Sequence, residues 1–207
     1  MTPPRIALLL KAPRPGEVKT RLAASVGEAG AVEIYRRLAE RQLRALPAGW
    51  PVTVHHAPAE AGPEIRQWLD QHRAGLDYRP QGEGDLGARL TLAFAAGFAH
   101  DAPAVLAIGG DCPALDGVLL QAAAQALANA DVVLGPAVDG GYYLIGLRAP
   151  CPALFAGIPW STDAVLAETR GRIRRQKLTV VDLPVLEDVD DATSWLRAGA
   201  MMRSSSS

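Results

Sequence analysis

Apolar residues fall into two alternating patterns along this chain: short continuous runs, and longer stretches in which they recur every three or four positions. The runs at 6–10, 52–55, 76–79, 104–108, 132–134, 142–147 and 180–183 predict strands, most of them buried on both faces. Between them, Val32, Tyr35, Ala39, Leu43 and Leu46 keep helical spacing, and Pro63 opens a short helix over 65–69. Leu90, Phe94 and Phe98 mark another helix, and Val118, Ala122 and Ala126, backed by Leu119 and Leu127, a further one. Weaker patterns predict helices over 162–175 and 191–200. Strands alternating with helices predict an α/β fold, a mostly parallel central sheet with helices on both faces. No repeat or linker interrupts it, so one domain over 1–203 is expected, with 204–207 as a flexible tail.

Composition narrows the function classes. The chain has 207 residues, 49% of them hydrophobic, which is enough for a sizeable core in one domain. A net charge of −1 gives no global field for nucleic acid or an anionic membrane. Basic residues do cluster locally, at 11–21 and 170–177, which suits a small anionic ligand. No run approaches the ~20 apolar residues of a membrane span, and the run at 6–10 is too short for a signal peptide. A cytoplasmic protein is expected. Cys112 and Cys151 have no metal or redox spacing, and His55, His56, His72 and His100 read as surface residues.

The chemistry gathers in the loops that follow strands. Lys11, Arg14, Lys19 and Arg21 place four cations between the first strand and the first helix, where open α/β folds bind ligands. Cations there suit a polyphosphate, although a solvated surface loop has the same composition. Residues 109–113, Gly-Gly-Asp-Cys-Pro, leave the 104–108 strand. Asp111 is therefore a candidate ligand for a hard divalent cation, or alternatively a turn or helix-cap residue. Asp139, Gly140 and Gly141 form a second cluster. Asp139 is placed to orient a hydroxyl or a water, but Asp-Gly turn chemistry favours a plain hairpin. On a strand, Tyr142 and Tyr143 face opposite sides, so at most one lines a site. The loop 81–87 carries Gly82, Gly84 and Gly87 around Asp85 and could present backbone N–H groups to a base or phosphate. Within 188–191, Asp-Val-Asp-Asp, one acid caps a helix and Asp190 is the candidate partner of Asp111.

Residues 11–22, KAPRPGEVKTRL, together with 84–87, GDLG, 110–113, GDCP, and 139–144, DGGYYL, resemble the successive signatures of one family. It is the glycosyltransferase-like group related to phospholactate guanylyltransferase, some of whose members are called radical-SAM/selenodomain-associated transferases. It lies within the nucleotide-diphospho-sugar transferase superfamily. The resemblance runs from about residue 6 to 196. It implies a GT-A-type, Rossmann-like α/β/α sandwich that binds a nucleotide across its strand ends. It also implies metal binding at Asp111 and Asp190, and nucleotide contacts from Lys19 and Arg21. Two departures leave donor and reaction open: the first loop carries prolines where nucleotidyltransferases have a Gly-rich segment, and a single Asp111 stands where many glycosyltransferases carry Asp-x-Asp.

The expected activity is therefore transfer from a nucleotide-activated donor, dependent on Mg²⁺ or Mn²⁺. Nucleotidyl transfer from a nucleoside triphosphate to a small phosphorylated or anionic acceptor ranks first. Lys19, Arg21, Asp111 and Asp139 are its candidate catalytic residues. Lys11, Arg14, Lys19, Arg21, Gly84, Asp85, Gly110, Gly140 and Gly141 are the candidate nucleotide contacts. Glycosyl transfer from a nucleotide-diphospho-sugar is the alternative, and a non-catalytic nucleotide-binding module the third reading. The partners are small molecules in each case.

Overall fold

The computed structural model describes the backbone of residues 2–204 and the side chains of 2–199. Among the described residues, seven strands and six α-helices follow one another in the order β1 (Arg5–Lys11), α1 (Thr20–Ala45), β2 (Val52–Ala57), α2 (Gly62–Leu69), β3 (Leu76–Pro80), α3 (Leu86–Phe98), β4 (Val105–Ile108), α4 (Gly117–Ala126), β5 (Val132–Pro136), β6 (Tyr142–Leu147), α5 (Val165–Arg175), β7 (Val180–Asp182) and α6 (Ala192–Ser204). All but the first residue of the tail expected at 204–207 lies outside the described residues.

The strands form one sheet in the order β3-β2-β1-β4-β6-β5-β7. Every neighbouring pair is parallel except β4–β6 and β5–β6, so β6 alone runs against the rest. Alternation along the strands divides the core in two. Ile6, Leu8, Leu10, Leu106 and Ile108 face one layer, where Ala39 and Leu43 of α1, Ile65 of α2 and Leu120 of α4 pack. Ala7, Val105 and Ala107 face the other, against Leu90 and Phe94 of α3 and Ile173 of α5. Helix α6 is fastened to α1 by a third cluster built from Leu22, Ile34, Leu38, Val189 and Ala198.

Local sequence accounts for the helix ends. Asp85 and Asp116 cap α3 and α4 by accepting from the amides of Ala88 and Leu119, each at 2.9 Å. Helix α1 is broken at Gly27 (φ 75°, ψ 162°), which separates a short leading segment from the long amphipathic body.

One expectation fails in β2. His55 and His56 are buried, not exposed, because β2 lies between β1 and β3 and is covered on both faces. His55 is only 3% exposed and its Nε2 meets no partner. Burial, with smaller contributions from the charges of Arg79 and His56, pushes its pKa from 6.5 down to about 4. The unfolded chain thus takes up this proton first. Stability is full above the unfolded pKa and falls as pH drops from 6.5 toward 4, with a loss reaching about 3 kcal/mol. Urea unfolding between pH 7.5 and 5 should show this slope, and His55→Gln should flatten it.

Candidate active site at the carboxyl ends of the strands

The parallel strands β1, β4 and β5 all end at one edge of the sheet, and antiparallel β6 starts there. A cavity of about 760 Å³ opens at this edge. Its walls come from the β1–α1 loop, the loop after β4, the β5–β6 turn, the start of α3, the segment 160–163 before α5, and the segment 188–190 before α6. This is where the topology of an open α/β sheet puts a ligand.

At its centre, Asp111 and Asp190 share one ammonium. Lys19 Nζ lies 2.8 Å from Asp111 Oδ2 and 2.9 Å from Asp190 Oδ1. The two carboxylates are far apart in sequence, and a backbone bond joins their loops, the Val189 amide donating to the Asp111 carbonyl at 3.0 Å. Gly110 lets the β4 loop press against β1, since a Cβ there would stand 2.5 Å from Leu10 Cδ2. Lys19 itself adopts a left-handed conformation (φ 48°) just before α1. Burial works against its charge, but Asp111 and Asp190 outweigh that and hold its pKa above the ordinary value.

Asp188, not singled out in the sequence, also lines the cavity. Its Oδ1 is buried without a hydrogen-bond partner. Burial, with the charge of Asp111 next, pushes its carboxyl up to about 8. Nearby Cys112 is buried, and burial, with the charge of Asp188 next, pushes its thiol pKa up, which disfavours the nucleophilic thiolate.

Glu17 lines the cavity from the β1–α1 loop beside several cations. Lys11, Arg21 and Arg89 line it from β1, α1 and α3, and none is ion-paired among the described residues. Arg89 is held by Gln81 Oε1 and the Gly84 carbonyl, and Gln81 is itself fixed by donating to the Leu10 and His55 carbonyls. The far wall carries Asp139, Gly141 and Tyr142 of the β5–β6 hairpin, with Trp160, Thr162 and Asp163. Tyr142 and Trp160 meet edge to face at 6.4 Å, while Tyr143 turns into the core and donates to the Pro184 carbonyl. Asp139 Oδ1 accepts from the Gly141 amide at 2.9 Å, an Asx turn that fixes the hairpin tip.

The remaining candidates sit elsewhere. Arg14 pairs with Glu64 (3.0 Å) and lies in a neighbouring groove with Gly84, outside the main cavity. Asp85 is occupied as a helix cap. Gly140 lies behind the wall, packed on the backbone of Asp163.

The central carboxylates fit a hard divalent cation. Asp111 and Asp190 already bring oxygens within 3 Å of a common point, and Mg²⁺ characteristically takes one or two carboxylates with phosphate oxygens and water. No group of three or more His, Cys, Asp or Glu suited to hold a metal occurs among the described residues.

Residues 42–162, more than half of the chain, match the profile of a family described as "Uncharacterized protein conserved in bacteria (DUF2064)". The chain belongs to the DUF2064 family. No curated protein matches it. This DUF2064 protein is 35% identical to a "putative nucleotide-diphospho-sugar transferase" from Desulfovibrio desulfuricans G20, over 92% of this chain and 84% of that one, with a TM-score of 0.85. Its fold is shared with 4-diphosphocytidyl-2C-methyl-D-erythritol synthase from Anaerococcus prevotii DSM 20548 (TM-score 0.63, 12% identity, 98% and 97% covered). CMP:2-keto-3-deoxy-manno-octonic acid synthetase, solved with CTP, is similar in the same way (TM-score 0.56, 12% identity, 97% and 98% covered). The DUF2064 protein therefore has the GT-A-like α/β/α architecture of nucleotide-diphospho-sugar transferases. None of its described helices is long and apolar enough to cross a membrane.

Proposed function

We propose that this protein transfers a nucleotidyl group from a nucleoside triphosphate to a small anionic acceptor. The observation that carries the reading is the row of cations, Lys11, Lys19, Arg21 and Arg89, beside the Asp111–Asp190 pair in one cavity. The names of the structural neighbours, a diphosphocytidyl synthase and a CMP-sugar synthetase bound to CTP, support it. The motifs at 11–22, 84–87, 110–113 and 139–144 favour a place beside the phospholactate guanylyltransferase-like, selenodomain-associated members, acting in the cytoplasm on small molecules.

In this reading Lys19 and Arg21 bind the β- and γ-phosphates and neutralise the charge that develops on pyrophosphate. Lys11 and Arg89 orient the nucleotide from the β1 and α3 sides. Asp111 and Asp190 hold Mg²⁺ or Mn²⁺, which when bound supplies positive charge at the α-phosphate. An acceptor oxyanion forms the new O–Pα bond as the bond from Pα to the bridging oxygen breaks. No proton has to be removed from such an acceptor, so no general base is required, and Asp139 shapes the hairpin tip that faces it through its bond from the Gly141 amide.

Glycosyl transfer from a nucleotide-diphospho-sugar is the second reading. The far wall favours it, since Asp139 and Asp163 offer acceptors for the hydroxyls of a sugar and Trp160 adds aromatic surface beside them. A thermal-shift screen of triphosphates and nucleotide-sugars, with and without Mg²⁺, separates the readings. A ligand at 100 times its Kd should add about 2.7 kcal/mol of stability. Metal-dependent stabilisation by a triphosphate, followed by pyrophosphate release in turnover, is expected. Stabilisation by a nucleotide-sugar alone, with nucleoside diphosphate released, would replace the first reading with the second.

A further inference from the structure

Lys19 stands where a dication would stand. Its ammonium is within 3 Å of both carboxylates, and its side chain is only 7% exposed. An ammonium and a divalent cation cannot occupy that space together, because they repel and compete for the same oxygens. We propose that Lys19 is the resident counter-ion of the Asp111–Asp190 pair, and that a triphosphate must draw it away before a metal ion enters. Nucleotide and metal then bind with positive coupling instead of independently. The inference rests on the nucleotide reading above and adds an order of events to it.

The surroundings permit the exchange. Lysine is a point charge on a flexible stem, so it trades one anion for another by rotating its side chain. Asp111 and Asp190 lie at the cavity surface, with side chains 33% and 43% exposed. The segment that follows Lys19, 20–26, is joined to the body of α1 through non-helical Gly27, and Leu22 is its one buried residue. Lys11, Arg21 and Arg89 line the same cavity and have no ion-pair partner among the described residues, and Lys11 and Arg21 are exposed, so they offer a triphosphate charge besides that of Lys19. By reciprocity, whatever the nucleotide does for the metal, the metal does for the nucleotide.

The test reads binding, not turnover. Mn²⁺ alone is titrated into the full-length protein and free Mn²⁺ is followed by electron paramagnetic resonance. Lys19→Met should bind Mn²⁺ at least about tenfold more tightly than wild type, within the usual range of coupling between sites. Adding Asp111→Asn to Lys19→Met should abolish the gain. Lys19→Gln provides a second variant should the methionine prove unstable. Equal Mn²⁺ affinity in wild type and both Lys19 variants would overturn the proposal. Release is read separately, in metal-free buffer, from the ¹⁵N signal of the Lys19 ammonium, which inorganic triphosphate should shift. Binding of triphosphate with that signal unmoved would also overturn it. A tenfold Mn²⁺ gain with no triphosphate binding would instead uphold the counter-ion and sink the nucleotide reading with its release step.

Discussion

Asp111→Ala is expected to lower metal-dependent turnover by at least about a hundredfold while leaving the protein folded. The loss follows from position. Asp111 extends from the end of the central strand β4, is backed by Gly110 packed on Leu10, and faces the ammonium of Lys19. Removing it takes away half of the carboxylate pair. Lys19 keeps Asp190, and the lost contact is partly open to solvent, so stability should fall by only about 1–2 kcal/mol. Asp111→Asn sharpens the result: it retains an oxygen for Lys19 but lacks the charge to neutralise a dication. Steady-state kinetics alongside urea unfolding of both variants checks this. Turnover at the wild-type rate in either would remove Asp111 from the chemistry.

Gly140→Ala should be the most damaging small substitution at the far wall. Gly140 has φ +86°, and a Cβ there would lie 2.3 Å from the backbone oxygen of Asp163. Left-handed backbone costs a non-glycine residue about 1–2 kcal/mol, and overpacking against rigid backbone adds about 1–3. A loss of about 3 kcal/mol is expected, a drop of roughly 6–12 °C in Tm for a domain of this size. Gly49 isolates the two contributions, since its φ is +76° but nothing lies within 4 Å of its Cβ. Gly49→Ala should therefore lose only the backbone part. If both variants melt alike, the hairpin tip and the 160–163 segment are not held against each other as described.

Much of this architecture was legible in the chain itself. The continuous run at 104–108 marked β4, the fourth of seven strands, and Asp139-Gly140 marked the β5–β6 hairpin. The structure brings Asp111, just past the first feature, and Asp139, within the second, to one cavity. Other parts depend on contacts that no local pattern encodes. His55 and His56 looked like surface residues because polarity was the only guide, whereas their burial comes from strands paired on either side of β2. Asp188 could not be told from its acidic neighbours. Its role in the cavity arises because the Val189 amide bonds to the Asp111 carbonyl, turning alternate residues of that segment toward the site. Trp160 precedes the weakly patterned stretch at 162–175, in which Thr162 and Asp163 carry no signal of a site, and the packing of Gly140 on Asp163 and of Tyr142 on Trp160 brings them to the cavity.

The reversed strand β6 has a consequence for how this scaffold can change. Because β5 and β6 are adjacent in sequence and in the sheet, the turn between them is anchored on both sides by antiparallel pairing. Its tip is held twice more, by the Gly140 carbonyl accepting from the Leu166 amide at 2.9 Å and by Gly140 packed on the Asp163 backbone. The hairpin tip and the segment before α5 are thus coupled, and the two change together. A lineage built on this plan that alters the hairpin tip has to alter the 163–166 segment with it, while the register of β1 against β4 is set elsewhere.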